Sequence, residues 1–559
     1  MEPSSEGHEP MTTLAAGDGG GSVSETGPRG SQLPPARFRA RAAIATGLTA
    51  LAVLSALVLR WFHLGQVSLW WDEGFTAWAA SLSPGDILRF ARSDNQPPLY
   101  YLLQHYWGTL FGNSEYALRA LSAFVGTLSL PVFYLLAKKV LKDSMAVVLA
   151  TWLFAFSMKQ VWYSREARTY ELASFLALVG LYALVLFLER RSAASFATIV
   201  LAATASLYSH NMMFFYLLAL NVTWLIYPSE RAWAERAKEL LLADVLAGVL
   251  YLPWALNLFT QVGAVGENLW WVPRPTVWTL GSTLRALAGF ETEYLSLLPG
   301  RLLPLSPHAA RVCVAGGTLL LSIAMVGGGL WRVPRADRRR NVSLLLYCLL
   351  PILVVFVLSQ KMPLYIDRVF TTSSVVVPLI FAYPLALERR RNGRMLYAFL
   401  GIILAGTTAL SAFGFLRYQE TKAKSNEDWR GTTTGLLSIP ERNRLLVFVP
   451  PAGEMLFDYY ARKFRSIDTD SAKIGLPGSF FEQFPPPKAR LIGPPDVDRL
   501  KIAVESKKYS EVDLVLTHDV DPHGLVIDYL SRVFVRHEEQ EQKLDGNSVR
   551  VTRFLALAQ

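Results

Sequence analysis

The sequence predicts an α-helical polytopic membrane protein that ends in a soluble α/β domain. Of 559 residues, 52% are hydrophobic and only 18% are charged, whereas soluble proteins average about 25% charged residues. Apolar runs recur along most of the chain, and many are close to the roughly 20 residues that cross a bilayer as a helix. Beyond about residue 416 these runs give way to short apolar segments, amphipathic segments and Pro/Gly-rich connections, which are typical of a water-soluble α/β domain.

The N-terminal segment, residues 1–36, is rich in Gly, Ser, Pro and Glu and has few bulky apolar residues. Such a composition predicts disorder. Arg37, Arg39 and Arg41 then precede the apolar run Ala42–Leu59, which is long enough to span. The long polar lead argues against a cleaved signal peptide. We therefore interpret the run as an uncleaved first span with a cytoplasmic N-terminus.

The membrane domain is predicted to cover residues 37–416 and to contain about 11 spans. After the first span, the apolar runs are Tyr116–Ala137, Ala146–Phe156, Leu172–Leu188, Phe196–Tyr208, Met212–Tyr227, Leu240–Phe259, Val312–Trp331, Val342–Leu358, Val369–Leu387 and Met395–Leu416. Every second loop is basic, as cytoplasmic loops are. These loops carry Lys138, Lys139 and Lys142; Arg190 and Arg191; Arg231, Arg236 and Lys238; Arg335 and Arg338 to Arg340; and Arg389 to Arg391. The alternation predicts that the other loops, including the long loop 61–115, face outward.

An odd number of spans also places the C-terminal tail, residues 417–559, outside the cytoplasm. Leu445–Val449 and Val512–Leu516 have the pattern of short buried strands, and Glu454–Phe464 and Gly524–Val533 that of amphipathic helices. The tail is thus predicted to be an extracytoplasmic α/β domain of ordinary size. The expected location is a bacterial inner membrane.

The net charge of +10 would suggest a nucleic-acid partner in a soluble protein. Here much of the excess lies in short loops between spans, where it acts as an orientation signal. The sequence contains no P-loop, no GxGxxG that opens a helix and no CxxC pair. We therefore expect the lipid bilayer, and no nucleic acid, as a partner.

The first outward loop carries adjacent carboxylates, Asp72 and Glu73, directly after two tryptophans. Adjacent residues of a regular element do not point into one cavity. One carboxylate should therefore face a site while the other braces the loop, and we choose Asp72 for the site.

Outward loops further along the chain supply cations and a third carboxylate. Arg165 and Arg168 lie three residues apart, and we expect them to share a helix face, with Glu166 turned about 100° away toward a cavity. Lys361 and Arg368 flank the last outward loop. Carboxylates together with Arg, Lys and His suit a phosphate-bearing ligand and a proton transfer.

Several short motifs occur in order along the chain. They are Trp71-Asp-Glu-Gly74, Gln96-Pro-Pro-Leu-Tyr-Tyr101, Arg119-Ala-Leu-Ser122, Tyr163-Ser-Arg-Glu-Ala-Arg168 and Glu427-Asp-Trp-Arg430. Together they resemble the family-39 membrane glycosyltransferases of bacteria, which have the GT-C architecture and are related to protein O-mannosyltransferases and to the lipid A aminoarabinose transferase. The resemblance covers roughly residues 42–430.

This resemblance implies a sugar donor on a polyprenyl phosphate and a reaction at the outer face of the cytoplasmic membrane. Asp72 matches the general base of an inverting transfer to an acceptor hydroxyl, with Glu73 and Glu166 as accompanying catalytic carboxylates. Glu166 matches a position that orients the acceptor or binds a divalent metal. The candidates for holding the donor phosphate are Arg165, Arg168, Lys361 and Arg368. A protein, a lipid and a glycan all stay open as acceptors.

The chain departs from many relatives in having Gln96, rather than histidine, before the Pro-Pro pair. Glutamine forms hydrogen bonds but carries no charge near neutral pH. His210, on another outward corner, is the candidate to replace that histidine. Gln96, Tyr100, Tyr101 and His210 are accordingly the expected substrate-binding residues.

Two other function classes fit the composition. A transporter or lipid flippase would place ionisable residues near the middle of its spans and often shows inverted repeats. In this sequence the charges cluster at the outer ends of the spans instead. A non-catalytic scaffold that presents the α/β domain would leave the outward polar clusters unexplained.

Overall fold

The fold was analysed in a computed structural model of the chain. It describes residues 36–556 apart from 95, 264, 270, 289–306, 332, 388–390, 423–426, 440–442, 465–471, 489, 508, 519 and 542–548. The N-terminal segment predicted to be disordered therefore lies outside the described residues, except for Ala36, which begins the first helix.

The first part of the chain is helical. Its elements are α1 Ala36–Trp61, α2 Trp71–Ser81, α3 Pro84–Ser93, α4 Leu99–Phe111, α5 Glu115–Leu141, α6 Ser144–Ala155, α7 Met158–Tyr163, α8 Tyr170–Glu189, α9 Ala193–Ser209, α10 Met213–Ile226, α11 Trp233–Gly263, α12 Val265–Asn268, α13 Val277–Leu287, α14 Pro307–Leu330, α15 Arg335–Leu358, a 3₁₀ helix Asp367–Val375, α16 Val377–Leu387 and α17 Arg391–Lys422. The second part contains α18 Trp429–Leu437, β1 Arg444–Val449, α19 Ala452–Lys463, β2 Ala472–Gly475, α20 Pro494–Ser506, β3 Glu511–Leu516, α21 Leu525–Val533, β4 Val535–Glu541 and β5 Arg550–Leu555.

The predicted spans correspond to helices. Within the described part of the chain, seven segments are long and apolar enough to cross a membrane, and four shorter apolar helices accompany them. Each apolar run noted in the sequence lies within a helix or extends one residue beyond its end, and the run Val369–Leu387 is divided between the 3₁₀ helix and α16. The prediction of a multi-pass helical membrane protein is confirmed.

The long loop between α1 and α5 is itself helical, formed by α2, α3 and α4. Local sequence explains where α3 begins: Ser83 precedes it and accepts a hydrogen bond from the amide of Asp86, while Pro84 occupies the first turn. Gly112 ends α4 with a φ of +81°, a backbone conformation that glycine adopts without steric cost. These helices position the carboxylate pair, which lies in the first turn of α2.

The second part of the chain forms the predicted α/β fold around a five-stranded sheet of order β2-β1-β3-β5-β4. The strands β2, β1 and β3 are parallel, and β5 and β4 run antiparallel to their neighbours. One face of the sheet packs on α18 and α19, and the opposite face on α20 and α21. The strand order reverses between β1 and β3, so their carboxyl ends flank a topological switch point.

The α/β part packs directly against α2. Leu69 and Ala77 share one apolar core with Trp429 and Leu456. A Cβ atom added to Gly74 would lie 2.6 Å from Cδ2 of Leu456, so α2 and α19 meet at a distance that leaves no room for a larger residue there. The sheet-bearing part of the chain therefore helps to form the surroundings of the carboxylate pair.

Candidate active site

Asp72 lies between two arginines that come from different segments. Its Oδ2 atom is 3.1 Å from Nη1 of Arg368 and 3.7 Å from Nη2 of Arg168. Arg168 also donates from Nη1 to the backbone carbonyl of Asp72 at 3.2 Å. The Asp72 side chain is 19% exposed. The carboxylate is thus held by cations yet still open on one side.

Burial opposes ionisation of Asp72, but the charges of Arg168, Arg368 and His518 outweigh it and hold the pKa of this carboxyl below its ordinary value of 3.8. Asp72 is therefore negatively charged at neutral pH.

Each of the two arginines has an N–H donor that is not used by the described residues. The Nε atoms of Arg168 and Arg368 are buried and have no hydrogen-bond partner among the described residues. The guanidinium of Arg368 lies 5.8–5.9 Å from the ring centres of Trp70, Tyr170 and Trp271, within the range of cation–π attraction. Burying an unpaired N–H donor costs free energy, and an anionic ligand that accepts a hydrogen bond from it would recover that cost. The aromatic residues and the unused N–H donors together therefore suit an anionic ligand.

Glu73 is enclosed in a buried ion pair. Its two carboxylate oxygens accept from Nε and Nη2 of Arg119 at 2.8 and 2.6 Å, and the amide of Ala167 donates to it at 2.9 Å. Arg119 also donates to the backbone carbonyls of three residues before α2, which are Leu64, Val67 and Ser68. Because Glu73 is fully buried and both its oxygens are occupied, we assign it to bracing the loop rather than to catalysis.

The expectation that Arg165 and Arg168 share a helix face is wrong. Residues 164–169 form turns between α7 and α8, so helical spacing does not apply to them. Arg165 donates from Nη1 to the carbonyls of Leu59 and Phe62, both at 2.8 Å, at the end of α1. We therefore remove Arg165 from the candidate phosphate-binding set and assign it to tethering this turn.

Lys361 also differs from the expectation. Its side chain is exposed, and none of the described contacts of Asp72, Arg168 or Arg368 includes it. Of the four cations proposed from the sequence, Arg168 and Arg368 are the two that the fold brings together at Asp72.

Glu166 has a carboxyl group near this cluster, with one oxygen hydrogen-bonded and a raised pKa. Its Oε1 accepts a hydrogen bond from Nε1 of Trp162 at 2.6 Å, and its Oε2 is buried with no hydrogen-bond partner in the described part of the chain. Burial, followed by the negative charge of Glu73, raises the pKa of Glu166 to about 7, against the opposing charge of Arg368. At neutral pH this carboxyl is therefore partly protonated and can donate as well as accept a hydrogen bond.

Gln96 and His210 lie side by side. Nε2 of Gln96 is 3.5 Å from Nε2 of His210, and the amide of Met212 donates to Nδ1 of His210 at 3.1 Å. Burial and the charges of Arg168 and Arg368 lower the pKa of His210 to about 3, so the ring is neutral and carries its proton on Nε2. A rotated Gln96 amide would accept a hydrogen bond from that N–H through Oε1, which has no other hydrogen-bond partner among the described residues. His210 therefore brings no positive charge to the cluster.

Tyr100 and Tyr101 are buried, and their hydroxyls are already engaged. Tyr100 forms a 2.8 Å hydrogen bond with Ser122, whose hydroxyl also contacts the carbonyl of Arg168, and Tyr101 donates to Asp94 at 2.8 Å. Through Ser122, Tyr100 supports the turn that carries Arg168, whereas Tyr101 holds Asp94 at the end of α3.

The sequence predicted no role for two residues near Asp72, which are Glu427 and His518. Glu427 accepts a hydrogen bond from the amide of Trp71 at 2.9 Å and pairs with His518 at 3.2 Å. The His518 ring lies 4.5 Å from the Trp71 ring. Glu427 stood in a recognised motif, whereas only the position of His518 after a buried parallel strand pointed to it.

The donor set around Asp72 does not suit a divalent metal. Among the residues that the structure describes, no group of three or more His, Cys, Asp or Glu side chains is arranged to hold an ion. Asp72 faces two guanidinium groups, whose charges repel a cation. The possibility that Glu166 binds a metal therefore finds no support in the chemistry of its neighbours.

Comparisons with known proteins identify related folds. Residues 95–266 match the family model described as dolichyl-phosphate-mannose-protein mannosyltransferase. The fold is similar to the crystal structure of ArnT from Cupriavidus metallidurans in the apo state, with a TM-score of 0.55 and 14% identity over 91% of this chain and 98% of that chain. The same protein bound to undecaprenyl phosphate matches with a TM-score of 0.50 and 13% identity over the same shares. No individual curated sequence matches the chain.

The fold and the matched segment define the class: the chain has the GT-C architecture of membrane glycosyltransferases. The match of residues 95–266 to the mannosyltransferase family model agrees with the resemblance that the order of the motifs predicted.

Proposed function

We propose that this protein transfers a sugar from a polyprenyl-phosphate donor to an acceptor hydroxyl with inversion at the anomeric carbon. The observation that carries the proposal is the ionised Asp72 between Arg168 and Arg368, two cations with unused N–H donors. A base and a phosphate-binding pair in one cluster are what this reaction requires. The ArnT structure with undecaprenyl phosphate supports the choice of donor class.

In the proposed reaction Asp72 accepts the proton of the acceptor hydroxyl. The hydroxyl oxygen bonds to the anomeric carbon as the bond from that carbon to the phosphate oxygen breaks. Arg168 and Arg368 stabilise the negative charge that develops on the departing phosphate. Attack from the side opposite the leaving group inverts the configuration.

Donor binding also activates the base in this scheme. Before binding, Arg368 and Arg168 are engaged with Asp72 and depress its basicity. A phosphate that shares these arginines weakens their hold on Asp72 and raises the affinity of its carboxylate for a proton. The base therefore gains strength when the donor is in place.

The activity is tested with purified protein and a panel of polyprenyl-phosphate-linked hexoses and pentoses, offered with cell-envelope protein, lipid or glycan acceptors. We expect release of polyprenyl phosphate from at least one donor, in step with labelling of one acceptor class. Absence of release from every donor, by protein that still binds undecaprenyl phosphate, would contradict the proposal.

The proposed site lies at the outer face of a bacterial cytoplasmic membrane, because basic loops alternate along the chain. Reporter fusions after Leu416 are expected to read as extracytoplasmic, and fusions after Arg191 as cytoplasmic. An extracytoplasmic signal after Arg191 would reverse the proposed orientation.

Arg368→Gln is expected to weaken binding of undecaprenyl phosphate by about 10- to 100-fold, since a hydrogen bond to a charged group contributes about 1.5–3 kcal/mol. The measurement is a binding titration in detergent micelles. Lys361→Gln removes the same charge from an exposed side chain in the same segment, and its effect should stay below about threefold. Equal losses in the two variants would show that charge near the membrane, rather than the Arg368 site, attracts the lipid.

A further inference from the structure

His518 occupies a special position in the α/β part of the chain. It follows β3, and the amide of Thr517 just before it still donates to the carbonyl of Val449 at the end of β1. His518 has a φ of +61°, a conformation that costs a non-glycine residue free energy and often marks a functional site. Ligands of open α/β sheets bind outside the carboxyl ends of strands at a switch point. Here the histidine at that point reaches the first turn of α2 instead.

The contacts of His518 lead to the residue beside Asp72. Its Nε2 lies 3.2 Å from Oε1 of Glu427, and its Nδ1 is 3.0 Å from the Thr517 hydroxyl. The other Glu427 oxygen, Oε2, accepts from the amide of Trp71 at 2.9 Å. The rings of His518 and Trp71 lie 4.5 Å apart. The α/β part of the chain thus contacts Trp71 twice, through a hydrogen bond to its backbone amide and through a ring contact.

We propose that His518 and Glu427 are positioning residues through which the α/β part of the chain fixes the first turn of α2 and aims the Asp72 carboxylate. The inference rests on the proposed role of Asp72 as the base. Both nitrogens of His518 are occupied, so it does not itself exchange protons with the substrate. Glu427 has a 3% exposed side chain, which suits a structural anchor rather than a group that meets a ligand.

The electrostatic environment of Asp72 supports the positioning role of His518. The ionisable groups that lower the pKa of Asp72, against its burial, are Arg168, Arg368 and His518. His518 lies beside Glu427 and beside the ring of Trp71, which precedes Asp72 in the chain. Replacing His518 with an uncharged side chain should therefore raise the pKa of Asp72, and the acid limb of the pH–rate profile should move to higher pH.

The test compares His518→Gln with the wild-type protein, using whichever polyprenyl-phosphate sugar of the panel is turned over. We expect kcat to fall by about 10- to 100-fold, because small displacements of a catalytic group have effects of that size. The acid limb should move to higher pH, because a charge that lowers the pKa of Asp72 is lost. KM for the donor should stay within about twofold, since Arg168 and Arg368 are untouched. Glu427→Gln should have a smaller effect than Glu427→Ala, because its amide oxygen still accepts from Trp71.

Tyr459→Phe is the matched control. The Tyr459 hydroxyl donates to the carbonyl of Asn113 at 2.7 Å, so this variant removes another contact between α19 and the membrane part, away from Asp72. It should reduce thermal stability without moving the pH profile. If His518→Gln changes only stability, as the control does, or changes nothing, the positioning role is wrong.

A second readout does not depend on turnover. Hydrogen exchange of peptides covering residues 66–76 should accelerate in His518→Gln and Glu427→Ala and stay unchanged in Tyr459→Phe. Unchanged protection in all three variants would overturn the inference. Normal transfer by Asp72→Asn would instead overturn the proposed base, whatever the His518 variants do, so the two failures are distinguishable.

Discussion

Asp72→Asn is expected to lower kcat for sugar transfer by about 10²- to 10⁴-fold, the usual contribution of a general base. Asparagine keeps the size and hydrogen-bonding shape of the side chain but does not accept a proton at neutral pH. Because Oδ2 of Asp72 competes with the donor phosphate for Arg368 in the proposed scheme, the variant should bind undecaprenyl phosphate at least as tightly as the wild-type protein.

The measurement pairs single-turnover transfer with a binding titration. Asp86→Asn is the control, because Asp86 is a partly exposed carboxylate in the same loop that pairs with Arg89. Its transfer rate should stay within about twofold of the wild-type rate, as is usual for exposed ion pairs. Wild-type turnover by Asp72→Asn would remove Asp72 from the mechanism.

Glu73→Gln is expected to destabilise the protein by about 3–5 kcal/mol, the usual cost of breaking a buried ion pair from one side. Glu73 is fully buried and Arg119 nearly so, and their closest N–O distance is 2.6 Å. The substitution leaves the Arg119 charge without its partner in a site that water does not reach. The carbonyls that Arg119 holds before α2 would then lose their fixed geometry.

The free energy of unfolding in mixed micelles of increasing SDS content measures this effect. The same substitution at Glu189, whose ion pair with Lys139 is about one-third exposed on both sides, should cost less than about 1 kcal/mol. Similar costs at the two positions would mean that the Glu73 pair is not isolated from water. A stable Glu73→Gln protein that lacks transfer would return Glu73 to the list of catalytic candidates.

The helical membrane part was predictable because hydropathy and length decide it locally. In the α/β part, β1 and β3 were predictable because every residue of β1 and nearly every residue of β3 is buried, which gives short runs of mostly apolar residues. The strand Val535–Glu541 was not, since its sequence VRHEEQE has no apolar pattern. Its place in the sheet comes from pairing with β5, a long-range interaction that local sequence does not encode.

The site was predictable in part. That Asp72 and Glu73 point in different directions followed from the alternation of successive side chains, which one sequence does contain. Which of the two faces the arginines did not follow from that alternation. The choice among the cations did not, because Arg165 and Arg168 diverge in a turn and Lys361 lies outside the cluster. The contact of His518 with Trp71 was not predictable either, because it exists only after the sheet has packed on α2.

The cap on the first turn of α2 has a consequence for how the molecule is made. The amide of Trp71 is held by Glu427, which lies 356 positions further along the chain. During synthesis the N-terminal part emerges and folds first, so this turn is complete only after the late segment has been made and has folded. A nascent or truncated chain that ends before Glu427 would reach the membrane with its helices formed but with the first turn of α2 uncapped. The geometry around Asp72 would then be complete only once the last segment of the chain has been made and has folded.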